Sequence, residues 1–206
     1  MGKIIALANQ KGGVGKTTSA VNLAGAFADS GLNVLVIDMD PQGNASTALG
    51  IPHGSDDITV YDVIEGRSSI QDAVKACPEF DTLDVVPSSI DLSGAELEIV
   101  DMDNRTGLLK QQLDNYINNS DKHYDYVIID CAPSLGLLVL NALCAVHEVL
   151  IPIQAEYYAL EGLGQLLNTI QLVQNSLNHN LVISTMLVTM FDKRTLLSRE
   201  VYGEIK

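Results

Sequence analysis

Short apolar runs punctuate this chain, separated by longer stretches in which apolar residues recur every three to four positions. The runs Lys3–Ala8, Asn33–Asp38, Leu83–Val86, Tyr126–Asp130, Glu148–Ile153 and Leu181–Val188 predict strands. Most are near-continuous in Val, Ile and Leu, the pattern of parallel strands covered on both faces. Behind the first run, "TTSAVNLAGAFADSG" sets Ala20, Val21, Ala24, Phe27 and Ala28 on one helical face, with Gly31 placed to cap its end. The segment "EYYALEGLGQLLNTIQLVQNSLN" predicts another long amphipathic helix. Strand–helix alternation of this kind predicts an α/β fold, a doubly wound and mainly parallel sheet with helices on both faces. Ligands are then expected at the carboxyl ends of the strands. Residues 1–206 are expected to form a single domain, with "IPHGSDD" at 51–57 a loop inside it. The final stretch, "LSREVYGEIK", has neither a capping glycine nor a following strand, so the natural protein is expected to continue beyond Lys206.

Composition narrows the class. A chain of 206 residues that is 47% hydrophobic and 18% charged is long enough for a sizeable core and is not of disordered type. The formal net charge of -14 argues against a broad basic face, so electrostatics alone does not predict nucleic-acid binding. The basic residues are unevenly spread, however. Lys193, Arg194, Arg199 and Lys206 are four of the twelve, and none occurs from His123 to Asp192. Cys77, Cys131 and Cys144 form no C-x-x-C pair and cannot all be bridged, which favours a reducing compartment. The four histidines match no zinc spacing. No charged-then-apolar leader opens the sequence, and Ala6 stands where a myristoylation signal wants Ser or Thr. The longest apolar stretch, "LGLLVLNALCAV", falls short of the about 20 residues that span a bilayer. A cytoplasmic protein without a membrane anchor is the expectation.

Chemistry concentrates behind the first strand. "NQKGGVGKTTSAVNLA" at residues 9–24 is a glycine-rich turn between a strand and a helix, the context that makes a phosphate-binding loop credible. Gly12, Gly13 and Gly15 allow positive φ, so that successive backbone N–H groups, Val14's included, converge on an anion at the positive end of the helix. Lys16 would neutralise β/γ-phosphate charge, the Thr17 hydroxyl suits Mg²⁺, and Thr18 could donate to the α-phosphate. Gln10 fills the place of the usual first glycine, and a second lysine, Lys11, stands beside it. Two acidic strand ends complete the picture. "VLVIDMDPQGN" carries Asp38 and Asp40 two positions apart, and so on one face. "YDYVIIDCAPS" ends on Asp130, the Walker B arrangement, in which a carboxylate reaches Mg²⁺ through water.

Taken together, "KGGVGKTT" with its extra lysine, "DMDPQGN", "VIIDCAPSLGLLVLNAL" and "QAEYYALEGLGQLLNTI" resemble the ParA/Soj family of partition ATPases, within the deviant Walker A class. The likeness runs the length of the chain. It implies that Lys11 is the signature lysine that reaches across a dimer interface to the phosphates held by the other subunit. It further implies that Asp40 orients the attacking water, with Asp38 its switch partner near the metal. ATP and Mg²⁺ are then the cofactors, and Lys11, Lys16 and Asp40 carry a hydrolysis of low intrinsic turnover. "MFDKRTLLSREV" resembles the family segment that holds DNA without sequence preference, Arg194 being the position carried over. The implied partners are a second copy, nonspecific DNA and a centromere-binding protein of the ParB type, at the nucleoid.

Three other readings remain open on sequence. A membrane-cycling ATPase of the MinD type requires a basic amphipathic anchor, and none is visible. An electron-transfer protein like the nitrogenase iron protein would use cysteine thiolates such as Cys131 and Cys144, which otherwise behave as small hydrophobes. A nucleotide-gated scaffold would turn over negligibly.

Overall fold

The computed structural model describes residues 2–156 and 159–205. Tyr157 and Tyr158 of the predicted long helix and Lys206 of the basic cluster lie outside the described residues. In chain order the elements are β1 (Lys3–Leu7), α1 (Lys16–Asp29), β2 (Val34–Met39), α2 (Asn44–Ala48), α3 (Val60–Ile64), α4 (Ile70–Ala73), β3 (Lys75–Ala76) and β4 (Leu83–Val86). They continue with α5 (Leu92–Ile99), α6 (Leu108–Asn119), β5 (Tyr126–Cys131), α7 (Leu137–Ala145), β6 (Glu148–Gln154), α8 (Ala159–Ser176), β7 (Val182–Thr189) and α9 (Leu196–Ile205).

The strands form one sheet in the order β3-β4-β2-β5-β1-β6-β7. Every pairing is parallel except that of β3 with β4. The doubly wound, mainly parallel α/β fold expected from the sequence is therefore the fold observed. β2 and β4 are buried at every position, each an apolar run interrupted by one buried aspartate, Asp38 or Asp84. Alternate strand residues point to two separate cores. On one face Ala20, Ala24 and Ala28 of α1 pack on Val34, Val36, Leu83, Val85 and Ile128. On the other, Leu35, Ile37, Val127 and Ile129 meet residues from α5, α6, α7 and α8. Small residues on α1 let it lie close to the sheet, and Phe27 stacks on Tyr126 with ring centroids 4.2 Å apart. Gly31 takes φ +82° just past the helix, as a left-handed cap does.

One detail was not read from the sequence. β3 is too short to leave a periodic signal; it is a two-residue antiparallel addition to the edge of β4. Among the described residues β7 pairs with β6, and its Val182 and Leu187 are exposed. The register brings the functional ends together: Asp130 of β5 is level with Leu7 of β1 and with Asp38 of β2.

Candidate functional site

The chain leaves β1 through a loop whose last residue is the N-cap of α1. Gly15 at that cap has φ +91° and Gly13 has φ +74°. Both angles lie in the left-handed region where a side chain is strained. Gly12 does not take positive φ; it borders an open space beside Pro133. No side chain caps α1 and its first turn carries no acid, so its free N–H groups and positive end remain available to an anion. The cavity above them has a volume of about 340 Å³ and is walled by Gly12, Gly13, Gly15, Lys16, Thr17, Thr18 and Asp40. Seven of the residues singled out from the sequence are thus gathered around one opening. Gln42, Asn44, Pro133 and Met190 complete its wall. Val14 contributes backbone only, its side chain being buried.

Lys16, the first residue of α1, is 6% exposed, and its ammonium donates to the Lys11 carbonyl at 3.1 Å. Burial pulls its pKa below the usual lysine value, and the nearby Asp130 and Asp40 carboxylates partly restore it. Three carboxylates line up behind the loop with different degrees of engagement. Asp38 is fully buried and accepts three hydrogen bonds: from the Asp40 N–H at 3.2 Å, the Ser46 N–H at 2.8 Å and the Ser46 hydroxyl at 2.7 Å. Its visible work is to brace the loop from β2 into α2. Asp40 faces the cavity and accepts the Gln42 N–H at 3.0 Å, which fixes its carboxylate in a tight turn. Asp130 is fully buried, and neither of its carboxylate oxygens has a hydrogen-bond partner among the described residues. Burial pushes its pKa up to about 7, and Asp38 adds to the rise while the nearby Thr17 hydroxyl and Lys16 offset it in part.

An unpartnered buried carboxylate is costly unless something cationic or donating completes it. Asp130 stands beside the Thr17 hydroxyl at the base of a phosphate-sized cavity, and this donor set fits a hydrated Mg²⁺, which keeps several waters and takes one or two protein oxygens. Cys131 is wholly buried next to it, its thiol held protonated by burial, and behaves as packing.

Lys11 is placed differently from Lys16. Its backbone N–H donates to Asn9 Oδ1 at 3.0 Å, and Asn9 Nδ2 donates to the Pro152 carbonyl at 2.7 Å. Its side chain lines a neighbouring depression with Gln10, Ser134, Glu161 and Gln165, outside the phosphate cavity, and its ammonium pairs with Glu156 of the same chain. Asn9 and Glu156 were not singled out from the sequence. Asn9 carried one signal, a polar residue closing a buried strand; Glu156 lies 145 positions from its partner and carried none. Thr189 was also missed: its hydroxyl at the end of β7 donates to the Val14 carbonyl at 2.9 Å and ties the loop to the sheet edge. Arg194 lies in the turn before α9, well exposed, and its guanidinium makes a forked pair with Asp192 at 2.7 and 2.9 Å. Its charge is compensated locally.

Comparison with known proteins gives a consistent result. A family model described as an AAA domain matches residues 2–183. The chain is 52% identical over 206 residues to the sporulation initiation inhibitor protein Soj of Bacillus subtilis, covering all of this chain and 79% of that protein. It is 48% identical over 206 residues to the chromosome partitioning protein ParA of Myxococcus xanthus, covering 71% of it. Among solved structures, cobyrinic acid a,c-diamide synthase of Mycobacterium smegmatis with bound ADP and magnesium superposes with a TM-score of 0.91 at 38% identity, over all of this chain and 81% of that one.

Proposed function

The chain belongs to the ParA/Soj family of partition ATPases, and from that premise we propose that ATP clasps two copies face to face and that the pair holds DNA until hydrolysis releases it. The observation that carries this reading is the separation of the two lysines. Lys16 occupies the cavity of its own loop, whereas Lys11 projects outside it on a backbone that Asn9 and Lys16 hold in place. A cation so placed serves best a triphosphate brought by another subunit, as an arginine finger does.

Within one subunit, the left-handed turns at Gly13 and Gly15 aim backbone N–H groups at the phosphates, and Lys16 offsets their charge. Thr17 would ligate Mg²⁺ directly and Asp130 would hold its water shell, with Asp38 bracing the loop behind them; the ion, when bound, would supply further neutralisation of the triphosphate. Asp40, at the cavity wall, orients the attacking water, and its turn bond from Gln42 keeps the carboxylate aimed. Lys11 from the opposing copy then stabilises charge on the transferred phosphoryl group. Arg194, with Lys193 and Arg199 exposed around it, contributes a few phosphate contacts per copy, too weak alone and useful when doubled. A centromere-binding partner of the ParB type stimulates hydrolysis in this scheme, which plays out at the nucleoid.

The deciding measurement is light-scattering mass with saturating Mg-ATP or Mg-ADP. Wild type is expected to double its mass with ATP only. Lys11→Ala should remain single, and Asp40→Ala should form the pair while releasing phosphate at least tenfold more slowly. A wild-type protein that stays single in ATP overturns the reading. No described helix is long and apolar enough to cross a membrane. ATP-dependent sedimentation with liposomes but not with DNA would favour the MinD-type cycle instead.

A further inference from the structure

Helix α5 carries two apolar stripes, and the fold uses one. Leu92, Ala95 and Ile99 are buried in the core. On the opposite side, Ile90 in the entering turn, Leu97 seven positions on, and Val100 at the helix end are 63%, 81% and 39% exposed. Gly94 lies between them with open space where a side chain would stand. Single exposed apolar residues are ordinary, but three in helical register across a glycine gap make a stripe into which another helix can fit.

The stripe's own segment carries acids only, while two cations border it: Arg105 at the Val100 end, and Arg67, which stacks on Tyr61 beside Glu98 but is itself paired with Asp62 and Glu65. From Asp91 to Asp103 the ionisable residues are Asp91, Glu96, Glu98, Asp101 and Asp103. Arg105, the nearest following cation, is turned back onto the Val100 carbonyl at 2.7 Å. A second copy docked by two-fold symmetry would set these acids against themselves, which disfavours self-association here. A basic amphipathic helix of a different protein complements both the apolar spacing and the charge.

The position of α5 gives such an occupant a route to the chemistry. Ser88, two residues before Ile90, donates its N–H to the Ser46 hydroxyl at 3.1 Å, and that hydroxyl donates to Asp38 at 2.7 Å. On the other flank, Glu96 accepts the Leu138 N–H at 3.2 Å and packs against Gly136, in the segment that follows Asp130. The helix touches the segment after Asp130, and the turn that leads into it touches the loop braced by Asp38.

We propose that the outer face of α5 is the docking site of the hydrolysis-stimulating partner, which presents a basic amphipathic helix to Ile90, Leu97 and Val100; this rests on the partition reading above. The probe is a synthetic helical peptide of leucine and lysine with leucines at i, i+4 and i+7, beside a leucine/glutamate peptide of the same pattern. Anisotropy and phosphate release are followed on the full chain with Mg-ATP. Wild type should bind the lysine peptide, release phosphate severalfold faster with it, and ignore the glutamate peptide. The Ile90→Ser/Leu97→Ser double variant should bind at least tenfold more weakly and lose the acceleration, with basal turnover and ATP-dependent mass unchanged. Leu172→Ser, which removes an exposed leucine on α8, should behave as wild type. The proposal is overturned if the double variant binds normally, if it no longer pairs in ATP, or if bound peptide leaves phosphate release unmoved. Failure of wild type to pair in ATP would instead count against the partition reading.

Discussion

At the residue scale, the strongest electrostatic feature is Asp130, fully buried without a hydrogen-bond partner for either oxygen. Its pKa, about 7 in the folded chain against an ordinary aspartate value of 3.8, fixes the sign of a stability effect. Between those values the folded state binds a proton that the unfolded state has lost, so stability falls as pH rises from about 4 to about 7. The full penalty above that window is on the order of 4 kcal/mol at 1.36 kcal/mol per unit. Urea unfolding of nucleotide-free protein in a chelator should therefore show wild type less stable at pH 8 than at pH 5. Asp130→Asn should flatten most of that slope, and an unchanged slope would show that Asp130 is not its source. A second residue-scale prediction concerns Arg194. Its forked pair with Asp192 is solvent-exposed, and the charge of Asp192 offsets what Arg194 can offer a phosphate. Asp192→Asn should raise DNA retention of the ATP state by roughly two- to fivefold at low salt, and Arg194→Ala should lower it.

At the element scale, the phosphate loop is a product of three strands. β1 delivers it, β6 anchors it through the Pro152 carbonyl to Asn9, and β7 clasps it through Thr189 to Val14. Thr189→Val keeps the shape but deletes that last bond, a change worth about 1 kcal/mol. The unfolding midpoint is expected to fall by roughly 2–4 °C, and ATP affinity measured by titration to weaken by at most about fivefold, as far as binding must re-order the loosened loop. The helix α1 shows how a sequence pattern becomes a position. Ala20, Ala24 and Ala28 recur every four residues, all buried on the sheet, and that close packing sets the origin of the helix so that Lys16 falls at its first turn. Asp38 shows the reverse. Strand periodicity placed it on the same face as Asp40, yet the structure spends its oxygens on Ser46 and the Asp40 N–H. Ser46 lies eight residues ahead in a five-residue helix whose position depends on the neighbouring β4 loop through Ser88.

At the whole-molecule scale, a net charge of -14 repels DNA, and in the proposed scheme the exposed Lys193, Arg194 and Arg199 would have to act against it. Doubling that cluster in an ATP-held pair would make retention feasible. With about four phosphate contacts per pair, affinity should fall on the order of a hundredfold between 50 and 200 mM salt. Filter binding across that range, in ATP and in ADP, checks the number; equal retention in ADP would detach DNA binding from the clasp.

Local information was enough for much of this protein. The run Leu83–Val86 becomes β4 at the same bounds, because a strand buried on both faces is apolar at all but one of its positions, the buried Asp84. The phosphate loop was equally plain, since its glycines, lysine and threonines are contiguous in sequence, although the distant residues that anchor the loop, Pro152 and Thr189, were not plain. What the chain order does not carry is adjacency between strands. Only the sheet order sets Asp38 level with Asp130 and brings Thr189 to Val14 across 175 positions and Glu156 to Lys11 across 145. Those contacts join residues with no common period or spacing, so the packing of the elements decides them.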